Sequence, residues 1–196
     1  MNYTLMAYAI CLILALAILA QPQTMMITLR EESLEKTSAL DYWLVVNALA
    51  YAYDKPNPEE AFTSFLSNEL QALDPRIVEV PSVTIEVLTI KQNHLEAIVS
   101  FNHTWGVHKV RILLRAIIIE KSSSYDPQRN LVIVKAKLQI LSDKPILISF
   151  KALTGELLSV RGYADQVYEV EVGIPPNAQA RLLIMDFRGL RLMVVL

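Results

Sequence analysis

Several groups of side chains in this 196-residue sequence have the types and spacing to do chemistry. Ser33-Leu34-Glu35-Lys36 has the S-x-x-K spacing of serine acyl-transfer enzymes, which also carry S-D-N and K-T-G elements. The nearest strings are Ser142-Asp143-Lys144 and Leu153-Thr154-Gly155, and neither matches. Ser33 therefore reads as the solvated start of a helix. His94, His103 and His108 fall within fifteen residues, and a neutral imidazole is the commonest metal ligand. A hairpin turning at Trp105-Gly106 would bring His103 and His108 near each other. Cys11 is the one cysteine and no H-E-x-x-H string occurs, so the histidines read as surface groups near turns. No metal, no cofactor and no catalytic residue is expected, and the chain does not read as an enzyme.

Basic residues form a further grouping. Arg111 and Arg115 share one face of a strand, and Lys135 and Lys137 share one face of the next. If residues 121–130 join these strands as a hairpin, the four charges converge. They would then contact an anionic lipid headgroup, a polyanion or an acidic protein surface. The plainer reading is a solvated sheet face with Lys and Arg protecting an edge. No aromatic residues interleave with them, and the net charge is −2, so no nucleic-acid partner is expected. Asn102-His103-Thr104 is an N-x-[ST] triplet at a hairpin end, which makes Asn102 a candidate glycosylation site.

The elements that would position these groups begin with an apolar segment. No charged side chain occurs before Arg30, and Leu5 to Ala20 is an unbroken run of sixteen apolar residues. Spanning a bilayer core takes roughly 17–25 helical residues at about 1.5 Å each, and from Tyr3 the run reaches eighteen. Leu5, Ile10, Leu12, Ile13, Leu14, Leu16, Ile18 and Leu19 would face lipid as a membrane anchor. A signal peptide cleaved near Ala17 or Ala20 is the competing reading, but its basic n-region is missing from MNYT. Arg30 and Lys36 argue weakly for a cytoplasmic far side. An apolar terminal segment followed by a β-rich domain is nevertheless the usual export layout, so the bulk of the chain is placed outside the cytoplasm.

Thr28-Leu29-Arg30-Glu31 fits a capping box, which predicts a helix running to about Tyr53. Leu34, Asp41, Leu44, Val45, Ala48, Tyr51 and Ala52 lie near one stripe of it. Asn57-Pro58-Glu59-Glu60 starts a second helix, with Asn57 as N-cap and Phe62, Phe65, Leu66, Glu69, Leu70 and Leu73 on one face. Asp74-Pro75 stops it. From Arg76 the period changes to two, as in Leu95-Ala97-Val99-Phe101 and Val132-Val134-Ala136-Leu138-Ile140. Eight to ten strands with hairpin-sized breaks follow, and Lys121–Asn130 is expected as the longest loop. The expected fold is α+β: an N-terminal transmembrane helix, two further helices, then a mainly antiparallel β-sandwich. Its segments are 1–29 (anchor or signal), 30–75 (helical) and 76–196 (β-sandwich). Charge divides along the chain, net −6 over residues 30–75 and net +4 over 76–196, so an acidic helical layer is expected near a basic sheet, within the chain or across a subunit contact. The closing strand Leu190–Leu196 is apolar on both faces and needs cover on both.

An apolar N-terminal helix, a polar helical extension and a C-terminal antiparallel domain together resemble type IV pilin-like, membrane-anchored surface proteins, archaeal ones in particular. The resemblance spans the whole chain as architecture. It implies a filament subunit or envelope protein whose apolar helices bundle. The short basic leader ending in Gly that the family carries has no counterpart in MNYT, and no functional residue is carried over. The expected role is a structural or protein-interaction one at the cell envelope. The expected partners are membrane lipid through residues 5–20 and a protein or second copy. A secreted binding module after signal cleavage is the alternative.

Overall fold

The computed structural model describes residues 37–73 and 80–196. The apolar run 5–20, the capping box at Thr28 and the Ser33–Lys36 string lie outside the described residues. Among the described residues no helix is long and apolar enough to cross a membrane. The chain divides into two compact units, residues 1–41 and 42–196.

Helix α1 is described over residues 37–52. Its buried positions Leu44, Val45, Ala48 and Ala52 keep the helical spacing of the predicted stripe. Val46 and Leu49 are also buried, which widens the stripe, whereas Tyr51 is 47% exposed. Helix α2 (Pro58–Ala72) starts at the predicted place and buries Phe62, Leu66 and Leu70. Asn57 does not cap it with its side chain. Its Nδ2 instead donates to Glu60 Oε2 at 3.4 Å.

Among the described residues nine strands follow: β1 (Ser82–Lys91), β2 (His94–His103), β3 (Gly106–Asp126), β4 (Leu131–Ser142), β5 (Ile148–Ala152), β6 (Glu156–Gly162), β7 (Val167–Ile174), β8 (Arg181–Asp186) and β9 (Arg191–Val195). They form a six-stranded sheet of order β1-β2-β3-β4-β7-β6 and a three-stranded sheet of order β5-β8-β9, antiparallel throughout. The fold is α+β with mainly antiparallel sheets. Alternation puts Leu95, Ala97, Val99 and Phe101 of β2 and Val110, Ile112 and Leu114 of β3 into the core. Leu182, Ile184, Leu192 and Val194 do the same for the small sheet. Met193 N–H of the small sheet donates to the Gln92 carbonyl in the β1–β2 turn of the large one at 2.7 Å, and Tyr53 O–H donates to the same carbonyl at 2.9 Å.

Two departures from the period-two pattern have local causes. A bulge between Ile85 and Val87 turns Val87 outward, to 36% exposure, although it alternates in sequence with Val83 and Ile85. Residues 121–130, expected as the longest loop, are strand as far as Asp126. β3 runs for 21 residues, pairing with β2 over Gly106–Arg115 and with β4 over Leu114–Asp126. Past Ala116 its β2-side edge has no strand beside it among the described residues. The turn that ends it is an Asp126 side-chain turn: Oδ1 accepts Gln128 N–H at 2.9 Å and Arg129 N–H at 3.3 Å.

Candidate functional site

The register decides what the four basic residues can do together. Lys135 pairs with Ser122 and Lys137 with Glu120, whereas Arg115 pairs with Leu141 and Arg111 lies before the β3–β4 ladder begins. At about 3.3 Å per residue, Arg111 is roughly 36 Å along β3 from the level of Lys135. The long hairpin therefore separates the four charges, because β3 meets β4 only with its second half. Each group has its own acidic neighbours. Arg111 Nη2 lies 3.2 Å from Glu96 Oε1, and Lys135 Nζ lies 2.8 Å from Glu171 Oε1 across the β4–β7 pair. The Glu171 carboxylate raises the Lys135 pKa above its ordinary value. Lys137 stands opposite Glu169. The solvated face is a ladder of opposite charges, the arrangement that stabilises cross-strand neighbours.

The same ladder continues on β1–β3. Glu86 accepts from both Lys109 and Ser100, and these bonds hold its carboxyl below the usual range. Glu120, Lys121, Lys135, Lys137, Tyr163 and Glu169 line an open cleft of about 550 Å³. Its charges are mixed rather than uniformly basic. Tyr163 O–H donates to Glu169 Oε2 at 2.8 Å, and that carboxylate raises the phenol's pKa.

The histidines are divided between the two ends of β2. His94 begins the strand and lies 3.4 Å from Glu96 Oε2. His103 ends it and stacks on Trp105, ring centroids 4.6 Å apart. His108 pairs with Phe101 on β3. Among the described residues no group of three or more His, Cys, Asp or Glu side chains is placed to hold a metal ion. Asn102 is exposed beside the β2–β3 turn.

A buried polar cluster among the described residues is one that the spacing of charged residues does not mark. Arg188 sits in the turn between β8 and β9, with its side chain 1% exposed. Its Nε donates to Asp186 Oδ2 at 2.7 Å, and its Nη1 donates to Asp143 Oδ1 at 2.8 Å and to Tyr42 Oη at 3.0 Å. Nη2 reaches Ser142 Oγ at 3.2 Å. Asp186 Oδ1 accepts the backbone N–H groups of Arg188 and Leu190, at 2.9 and 3.0 Å, and so fixes the turn. Burial disfavours the guanidinium charge, but the bonds to Asp143, Tyr42 and Asp186 outweigh it and the pKa stays above the ordinary value. The planar fork suits this geometry, since five fixed N–H donors can meet several acceptors at once. The node joins α1, the end of β4 and the β8–β9 turn. Its signal in the sequence is a pair of opposite charges, Asp186-Phe187-Arg188, inside an otherwise apolar hairpin. Such charges are buried only when paired.

The chain matches no protein-family model, no curated protein and no solved structure.

Proposed function

We propose that this is a single-pass, membrane-anchored, extracytoplasmic protein with a structural or protein-interaction role at the cell envelope. The observation that carries the reading is the sequence before Arg30, which is free of charge and holds the sixteen-residue apolar run Leu5–Ala20. A charged side chain at the centre of such a segment is strongly disfavoured in lipid, so its absence over 29 residues fits membrane burial. The remainder of the chain supports a non-enzymatic role through what its charged groups do. Arg188, Asp186 and Asp143 brace a turn, and Glu86, Glu96, Lys135 and Glu171 pair across strands.

The interaction surface we favour is the outer edge of β3 beyond Ala116. Unpaired strand edges add strands from other chains, and here Glu120 and Lys121 limit indiscriminate pairing. Recovery of the protein from the native membrane fraction, followed by alkaline carbonate extraction and intact-mass measurement, tests the anchor. A chain starting at Met1 or Asn2 and released only by detergent is expected. A chain starting near Ile18 or Gln21 and free in the medium would overturn the anchor and make residues 1–20 a signal peptide. Detergent-free filaments in the same preparation would assign the chain to the pilin-like arrangement.

A further inference from the structure

We infer that the end of the domain formed by Trp43, Leu147 and Phe187 rests in the headgroup–acyl boundary of the bilayer that holds the anchor. This inference builds on the membrane-anchored reading. Leu147 is 81% exposed, Phe187 62% and Trp43 43%. Single exposed apolar residues are ordinary, but these three belong to one connected structure. Phe187 N–H donates to the Leu147 carbonyl at 3.2 Å, which holds both side chains at one backbone junction. Arg188, the next residue, holds Tyr42 by its hydroxyl, and the Tyr42 and Trp43 rings meet edge-on at 5.8 Å. Lys144 Nζ lies 3.7 Å from the Tyr42 ring centroid.

Trp, Tyr and Lys beside exposed Leu and Phe form the composition of a bilayer interface, where amphipathic side chains bury an apolar body and keep a polar end wet. The position of this end in the chain favours lipid as its occupant. The second compact unit begins at Tyr42, and 21 residues separate that point from Ala20. Tyr42 and Trp43 lie in α1, by which the chain enters the domain, and are the first described aromatic residues after the apolar run. The Arg188 node holds the apolar turn in place before contact. Its two carboxylates balance Arg188 and Lys144, so attraction to anionic lipid is not what would drive the contact.

The test uses the full chain with Trp105→Phe, which leaves Trp43 as the sole tryptophan, reconstituted into zwitterionic phospholipid vesicles with acyl chains brominated near the headgroup. Sedimentation with the vesicles reports the anchor, and quenching of Trp43 reports the tip. We expect a blue-shifted Trp43 emission quenched at least twofold, unchanged between 0.05 and 0.5 M salt. The added pair Leu147→Ser/Phe187→Ser should abolish most of that quenching while circular dichroism and sedimentation stay the same. A chain left in the supernatant overturns the anchor reading and this one with it. A chain that sediments with Trp43 unquenched, or equally quenched in the Ser pair, overturns the tip contact alone and leaves the surface to a protein partner.

Discussion

At Arg188 one side chain donates to five acceptor groups, on Tyr42, Leu113, Ser142, Asp143 and Asp186, so its removal strands two buried carboxylates. Breaking a buried pair by removing one partner costs about 3–5 kcal/mol. We expect Arg188→Ala to lose that much in urea denaturation. Arg188→Lys should recover only part of it, because an ammonium cannot reproduce the planar fork. Glu86 gives a contrasting, solvent-facing case. Its folded pKa lies below the ordinary 4.5 because Lys109 and Ser100 bond the charged form. A depressed carboxyl pKa supplies stability above the unfolded value and loses it as pH falls through the folded one. The melting temperature should therefore drop below about pH 4.5, the ordinary value. Glu86→Gln should flatten that part of the profile, and salt should diminish the difference.

At the scale of elements, the turn Ala164–Gln166 joins β6 to β7 with Asp165 and Gln166 both at positive φ, 57° and 56°. Left-handed backbone costs an ordinary L-residue roughly 1–2 kcal/mol, and Asn-Gly is the pair that two-residue turns of this hand prefer. Asp165→Asn/Gln166→Gly should raise unfolding stability by about 1 kcal/mol, read from the denaturant midpoint. Gly155 is the opposite case: φ is +79° and an added Cβ would lie 2.1 Å from the Gly173 carbonyl oxygen. We expect Gly155→Ala to cost at least about 2 kcal/mol in the same assay, from the backbone strain and the clash together.

The elements also show where sequence patterning fails. Leu95 to Phe101 is legible because one face is fully buried and the other is not. Residues 121–125 are exposed at every position, so no alternation marks them, and only backbone pairing with β4 makes them strand. The same reasoning explains the basic residues. Their shared faces are readable from parity, but the half-length offset between β2 and β4 along β3 is set by pairing between distant segments. Arg188 was hidden for a related reason, since its partners Asp143 and Tyr42 are 45 and 146 residues away.

For the whole molecule, the ion pairs described for the basic groups of the β-region lie largely within the sheets themselves. Lys109, Arg111 and Lys135 find Glu86, Glu96 and Glu171 on neighbouring strands, while Arg191 reaches Asp54 at 3.0 Å just past α1. On the membrane-anchored reading we propose, pairing of this kind among the described residues leaves attachment to apolar groups, the run Leu5–Ala20 first among them. The transfer cost of a single charge tests this directly. Arginine at the centre of a spanning helix costs about 2.5–3.5 kcal/mol for insertion, whereas at the ends it can reach the interface. Leu12→Arg lies near the middle of the run Leu5–Ala20. It should lower the carbonate-resistant membrane fraction of chains that retain Met1 or Asn2 by about a hundredfold in the partition ratio. Leu5→Arg, at the run's edge, should leave most of the protein in the membrane. Equal loss from both variants would mean that residues 5–20 act as an export signal whose apolar core is read as a unit, and not as the span that holds the protein.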